Sequence, residues 1–251
     1  MTSPFSLEGK RILVTGGGQG IGLAISHAIV DAGGFAVLSG RHEETLAAAC
    51  RELGERSSFL VGDVSDLPSI PAFVAKVEEQ GPLWGLVNNA GRNLKKDVVD
   101  TSDEEFLAVL QINLLGAFAM TREVGKRLLA RGEGSILFVA SMTSLFGIPK
   151  VCAYTASKAA VAGLAKQIAT EFSPKGVTVN AVAPGFIDTA MSRKAFDGDP
   201  NRRAKVISRT PMDRLGTPEE VGMAAAFLLS PAARYLTGVV LPVDGGTSIG
   251  F

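Results

Sequence analysis

Seven short apolar runs, set apart by amphipathic stretches, constrain this chain more than any other feature. In order they are "RILVT" (11–15), "FAVLSG" (35–40), "SSFLVGDV" (57–64), "LWGLVNNAG" (83–91), "GSILFVAS" (134–141), "VTVNAVAPG" (177–185) and "VVLPVDGG" (239–246). Each reads as a buried strand. Most lack strict apolar–polar alternation, as a strand buried on both faces should. The stretches between them read as helices: "GIGLAISHAIVDAGG", ended by glycine, "EETLAAACREL", one ending near Gly81, a long region over about 103–130, and "AYTASKAAVAGLAKQIATEF". The last, "TPEEVGMAAAFLLS", opens with Thr217 as N-cap, Pro218 at the first helical position and Glu220 three residues beyond the cap. Strands alternating with helices predict an α/β fold: a doubly wound, mostly parallel seven-stranded sheet with helices on both faces. A single domain over 1–251 is expected, and 46% hydrophobic residues suffice for its core. The least regular part is about 186–212, polar and charged, which reads as a loop or lid over a substrate site.

Charge and cysteine content exclude several function classes. Net charge is zero, so no nucleic-acid or anionic-membrane surface is expected. Cys50 and Cys152 are the only cysteines, which makes neither a disulfide framework nor a metal site. "MTSPFSLEGK" has no apolar leader segment, and no apolar run approaches the ~20 residues of a membrane span. A cytoplasmic protein is expected. His27 and His42 have no ligand-spaced partners, Cys152 reads as small apolar filler, and Trp84 reads as core or rim.

Between the first run and the first helix stand Gly16, Gly20 and Gly22, with Gly18, Gln19 and Ile21 in the same turn. Glycines there let the backbone approach a pyrophosphate at a helix N-terminus. The spacing is G-x-x-x-G-x-G, which departs from the common dinucleotide pattern G-x-G-x-x-G. At the end of the second run, Gly40 stands where an acid would bind ribose hydroxyls, and Arg41 follows. An arginine pairs with a 2′-phosphate that an acid would repel, so NADP(H) is expected over NAD(H).

Tyr154 and Lys158 lie one helical turn apart in "YTASK". A lysine ammonium ~5 Å from a phenol, at effective dielectric ~20, favours phenolate by about 3 kcal/mol, or about two pKa units. The pair therefore suits proton transfer at neutral pH. "VAS" places Ser141 at the C-terminal edge of the predicted sheet, where "NNAG" (88–91) and "PG" (184–185) also end. Ligands of open parallel sheets bind at that edge. Lys95, Lys96, Lys150, Arg193 and Lys194 flank the predicted cleft and could meet a substrate carboxylate or phosphate.

Together "TGGGQGIG", "DV" (63–64), "NNAG", Asn113 in "INLLGAF", Ser141, "YTASK", "NAVAPGFIDT" and "LTGVVLPVDGG" resemble the short-chain dehydrogenase/reductase family over nearly the whole chain. The glycine spacing is that family's own. The resemblance implies a Rossmann fold, nicotinamide-dependent oxidoreduction and a homotetramer. It implies Tyr154 as general acid/base, Lys158 as its tuner and nicotinamide-ribose ligand, Ser141 on the substrate oxygen, and Asn113 holding a relay water. Asp63 and Val64 would contact adenine, and Asn89, Ala90 and Gly91 would line the cofactor site. Pro184, Gly185, Ile187 and Thr189 would hold the nicotinamide end. "NNAGRNLKKDVVD" is similar to gluconate 5-dehydrogenase-like members more than to 3-oxoacyl-carrier-protein reductases. The expected substrate is a small hydroxylated or anionic compound, such as a sugar acid or polyol. A 3-oxoacyl thioester, a broad range of carbonyls, and a non-catalytic cofactor sensor are the alternatives.

Overall fold

The computed structural model describes residues 3–190, 192–193 and 200–249. Among them seven strands lie in one wholly parallel sheet: β1 Arg11–Thr15, β2 Phe35–Gly40, β3 Ser57–Val61, β4 Gly85–Asn88, β5 Gly134–Val139, β6 Val177–Pro184 and β7 Val240–Val243. Their order is β3-β2-β1-β4-β5-β6-β7. The connecting helices are α1 Gly20–Asp31, α2 Glu43–Leu53, α3 Ile70–Glu78, α4 Asp103–Leu110, α5 Ala117–Arg131, α6 Cys152–Phe172, α7 Pro200–Ser208 and α8 Pro218–Leu229.

The unipolar strands follow from two cores. Successive residues of β1 point to opposite faces. Ile12 and Val14 join Leu38, Val87 and Leu137 beneath α1, α2 and α8. Leu13 joins Leu86, Ile136 and Phe138 beneath α3, α5 and α6. Burying each such side chain stabilises the fold by roughly 1.5–3 kcal/mol. A strand serving both cores needs apolar residues on both faces, which is why the runs are mainly apolar and do not strictly alternate.

The strand order reverses between β1 and β4, and this opens a crevice at their C-terminal ends. Of the strands that stop earlier than the sequence predicts, β3 and β4 do so for local reasons. β3 ends at Val61 because the Asp63 carboxylate accepts from the Ser65 N–H (2.8 Å) and hydroxyl (2.7 Å), closing a turn. β4 ends at Asn88 because Asn89 leaves the ladder and gives its N–H to Thr15 Oγ1 at 3.1 Å.

The predicted capping of α8 is present. Thr217 accepts from the Glu220 N–H, and the Glu220 carboxylate accepts from the Thr217 N–H at 2.8 Å. The Arg214 guanidinium, then the Thr217 N–H, hold the Glu220 carboxyl down to about 2. The 186–212 stretch is less irregular than expected, since it contains α7. Its sequence is mostly polar, and Val206 is its buried apolar residue. Residues 191 and 194–199 of that stretch, Lys194 among them, lie outside the described residues. The helical run Asp103–Arg131 is long and apolar enough to cross a membrane, by length and composition only, but half of its most apolar window is buried in the fold. It supplies Met120, Val124 and Leu128 to the core, as a core helix does.

Candidate active site

The glycine turn is dictated by close approach. Gly16 and Gly20 have φ of +65° and +54°, in the left-handed region. A Cβ on Gly22 would overlap the Gly16 carbonyl oxygen and stand 2.5 Å from Asn89 Nδ2. Asn89 Nδ2 donates to the carbonyls of Thr15 (2.9 Å) and Gly16 (3.1 Å). Thr15 Oγ1 accepts from the N–H of Asn89 and of Ala90, both at 3.1 Å, and donates to the Val87 carbonyl at 3.2 Å. Thr15 thus ties the glycine turn to the end of β4. Reading by motif passed over it, although it directly precedes the glycines.

A cleft of about 290 Å³ opens beside this turn. Gly16, Gly18, Gln19, Arg41, Asp63 and Val64 line it, and Ala90 and Gly91 close one side. Ser39, Thr45 and Ile112 also line it and were not anticipated. Burial works to raise the Asp63 carboxyl, but the Ser65 hydrogen bonds and the Arg41 charge outweigh it and carry the pKa below the usual value. The side-chain-free cradle, the uncapped N-terminus of α1 and the facing Arg41 fit the phosphates and adenosine of a dinucleotide.

A second cavity of about 220 Å³ continues past Ile21. Ser141 and Tyr154 line it together with Pro184, Gly185, Ile187 and Thr189, so residues far apart in sequence surround one space. Ser141 ends the fifth strand run and caps the short turn Met142–Ser144. Its Oγ accepts from the Thr143 N–H at 3.2 Å, which leaves its own O–H free to donate. Asn93, Thr143, Phe186 and Ser192 are among the further lining residues that were not singled out in the sequence.

Gly20, Gly22, Asn89, Asn113 and Lys158 stand behind these two walls rather than on them. Asn113 lies in a π-helical turn, Gln111–Gly116, inserted between α4 and α5, a feature common at functional sites. Its Oδ1 accepts from the Arg92 N–H (2.8 Å), and its Nδ2 donates to the Arg92 carbonyl (3.0 Å) and Ser157 Oγ (2.9 Å). Ser157 in turn donates to the Tyr154 carbonyl at 2.7 Å. Both Nδ2 hydrogens are therefore committed. The side chain fixes the turn after Gly91 and, through Ser157, the backbone of Tyr154.

Burial shifts both members of the Tyr154 and Lys158 pair. Burial pushes the Tyr154 phenol above its ordinary value, with hydrogen bonding from Ser141 working the other way. Lys158 is buried nearby. Its Nζ lies 5.7 Å from the Tyr154 ring centroid and donates to the Val139 carbonyl at 2.6 Å. Burial also lowers the Lys158 pKa from the ordinary 10.5 to about 8. Between those values the unfolded chain holds a proton that the folded chain has released. Below pH 8 both states are protonated, and the cost of burying the ammonium is fully present. Stability without cofactor should therefore rise from pH 8 to 10.5, by roughly 3 kcal/mol. Urea denaturation of wild type and Lys158→Met at the two ends checks this. An equal rise in both proteins would show that Lys158 is not the source.

Three of the five flanking cations are already paired. Lys96 meets Glu105 at 2.8 Å, Lys150 meets Asp97 at 3.0 Å, and Arg193 meets Asp188 at 2.7 Å. Lys95 lines neither cavity.

Comparison with known proteins places this geometry among oxidoreductases. The family described as enoyl-(acyl carrier protein) reductase matches residues 16–248. Galactitol 2-dehydrogenase (L-tagatose-forming) of Cereibacter sphaeroides is 38% identical, over 98% of this chain and 97% of its own. A 3-oxoacyl-(acyl-carrier-protein) reductase of Vibrio harveyi is 38% identical, over 96% of this chain and 98% of its own. The structure of a gluconate 5-dehydrogenase from Burkholderia cenocepacia, in complex with NADP and tartrate, superposes with a TM-score of 0.95 at 32% identity, covering 99% of this chain and 98% of that one.

Proposed function

Because the chain belongs to the short-chain dehydrogenase/reductase family, whose members act on alcohol and ketone groups, we propose that it is a cytoplasmic, NADP(H)-preferring enzyme interconverting a small hydroxylated or sugar-acid alcohol and its ketone. The convergence of Ser141 and Tyr154 on one cavity, beside the glycine cleft, carries this reading. The glycine turn, Asp63, Val64, Ala90 and Gly91 would hold the adenine and phosphate end. Pro184, Gly185, Ile187 and Thr189 would hold the nicotinamide end. When bound, the nicotinamide supplies the hydride acceptor for oxidation and the hydride donor for reduction.

The chain's own groups handle the proton and the charge. In oxidation Tyr154, as phenolate, takes the hydroxyl proton while the carbinol hydrogen leaves with its electron pair. The products are the ketone, the reduced cofactor and a protonated Tyr154. In reduction the Tyr154 phenol returns that proton to the carbonyl oxygen. Ser141 donates to the same oxygen as charge develops on it. Lys158 would hold the nicotinamide ribose and bring positive charge toward Tyr154, and Asn113 is a positioning residue behind both.

A panel of alcohols and ketones, run with NADPH/NADP and NADH/NAD in parallel, tests this reading. Arg41→Ala should weaken NADP binding at least about tenfold while leaving NAD nearly unchanged. Equal losses for both cofactors would remove Arg41 from cofactor choice. Reduction of a 3-oxoacyl thioester is the second reading, favoured by the equal identity to the Vibrio harveyi reductase. We also infer a homotetramer, supported by Leu107, Leu115 and Phe118 exposed along the Asp103–Arg131 run. A monomer in light scattering would remove that inference.

A further inference from the structure

Part of the cavity wall beside Tyr154 hangs on a strained turn. Ile148 and Val151 line the cavity, and Pro149 and Lys150 join them. Lys150 has a φ of +70°. Among the described residues, Asp213 is the only other residue besides glycines with positive φ. Aspartate enters that region with the help of its short polar side chain, and lysine has no such help. A proline followed by positive φ is the pattern of a type II turn, where glycine normally stands in the place of Lys150. Strained backbone of this kind persists only where its surroundings hold it.

The surroundings form a clasp. The Lys150 carbonyl accepts from the Lys96 N–H at 2.8 Å, and Lys96 pairs with Val151 in a parallel bridge. The Lys150 ammonium meets Asp97 at 3.0 Å, and the Thr101 hydroxyl donates to the Asp97 carbonyl at 2.8 Å. Lys96 is anchored in turn. Its ammonium meets Glu105 at 2.8 Å, and the Glu105 carboxylate also caps α4 by accepting from the Ser102 N–H at 3.0 Å. Toward the other side, the Val151 carbonyl accepts from the Thr155 N–H at 2.8 Å, in the first turn of α6, which carries Tyr154.

Lys150 itself lines neither the cavity nor the cofactor cleft, and Ile148 and Val151 do not line that cleft. Its influence on the site therefore runs through its two neighbours in the wall. Ile148 is held extended by the proline that follows it, and Val151 is buried between the bridge and α6. A return of residue 150 to negative φ would redirect the chain between them, and the two side chains could not both keep their places.

On the alcohol–ketone reading above, we propose that Lys150 is a positioning residue for the substrate: its left-handed backbone, clasped by the 96–97 segment, sets the Ile148 and Val151 wall against Tyr154. The backbone conformation carries this role. The ion pair to Asp97 is exposed and contributes little by itself.

The test measures KM and kcat with gluconate, sorbitol and an acetoacetyl thioester, taking the one that wild type turns over fastest, beside a fluorescence titration of NADPH. Lys150→Gly enters positive φ freely and should keep KM within about threefold of wild type. Asp97→Asn breaks the ion pair alone and should also stay within about threefold. Lys150→Val carries a β-branch that resists positive φ. It should raise KM at least about tenfold and change kcat less, while NADPH affinity stays within about twofold. Lys150→Thr, also β-branched, carries the comparison should the valine protein not fold. A merely structural role would lower stability without moving KM in the folded protein. Equal KM in the glycine and valine proteins overturns the backbone role, as does an NADPH affinity that falls together with KM. A rise of KM in Lys150→Gly and Asp97→Asn alike assigns the effect to the charge and overturns it too. Wild type inert toward all three compounds, with both cofactors, overturns the alcohol–ketone reading and this role with it.

Discussion

Replacing Tyr154 by Phe should lower kcat about 1000-fold while cofactor affinity stays within about twofold. The ring remains to pack against the cavity wall, and only the hydroxyl that exchanges a proton is lost. The expected drop is large because, among the described residues, no other side chain lining the cavity is an ionisable group that could replace the phenol. Single-turnover kinetics with saturating NADPH, beside a fluorescence titration of the cofactor, reads both quantities. Retained turnover would remove Tyr154 from the chemistry. Unimpaired cofactor binding with no turnover even in wild type would favour a cofactor sensor instead. The raised phenol has a further consequence. If cofactor binding brings Lys158 charge to bear on Tyr154, the tyrosine titration of the loaded enzyme should fall below that of the free enzyme.

The second large effect is expected at Gly22. Gly22→Ala sets a methyl group against the Gly16 carbonyl oxygen and Asn89 Nδ2. Neither neighbour can yield cheaply. One is backbone, and the other is fixed by two hydrogen bonds to the Thr15 and Gly16 carbonyls. Stability should fall by about 3 kcal/mol, as for a severe overpacking substitution. Cofactor affinity should fall about 100-fold or more, because the turn that cradles the phosphates moves. Urea denaturation without cofactor and titration with NADPH measure the two effects separately. A Gly22→Ala protein with wild-type stability and affinity would show that the turn tolerates a side chain.

Several features were legible in the sequence because their causes are local or periodic. The strands serve two cores, so they read as mainly apolar runs without strict alternation. The Thr217, Pro218 and Glu220 cap needs only three positions in one turn. The glycine spacing, "NNAG", Ser141 and "YTASK" each mark the end of an element, and parallel connections bring those ends to one edge. Arg41 follows its strand directly, and it lines the cleft as expected.

Other features were not legible because they depend on partners distant in sequence. Thr15 is one threonine among many until it meets Asn89 and Ala90. The Asn113 amide meets Arg92 and Ser157, 21 and 44 residues away. Lys96, Lys150 and Arg193 read as a cationic rim until Glu105, Asp97 and Asp188 neutralise them. α7 escaped notice because its sequence is mostly polar.

The sequence by itself determined the doubly wound sheet, the glycine turn and the reaction class. Those rest on apolar pattern, backbone constraint and residue type, all carried by short segments. The tertiary structure decided which polar groups remain available. Burial lifts Tyr154 and depresses Lys158, since desolvation and hydrogen-bond pairing depend on everything packed around a group and not on its neighbours in the chain.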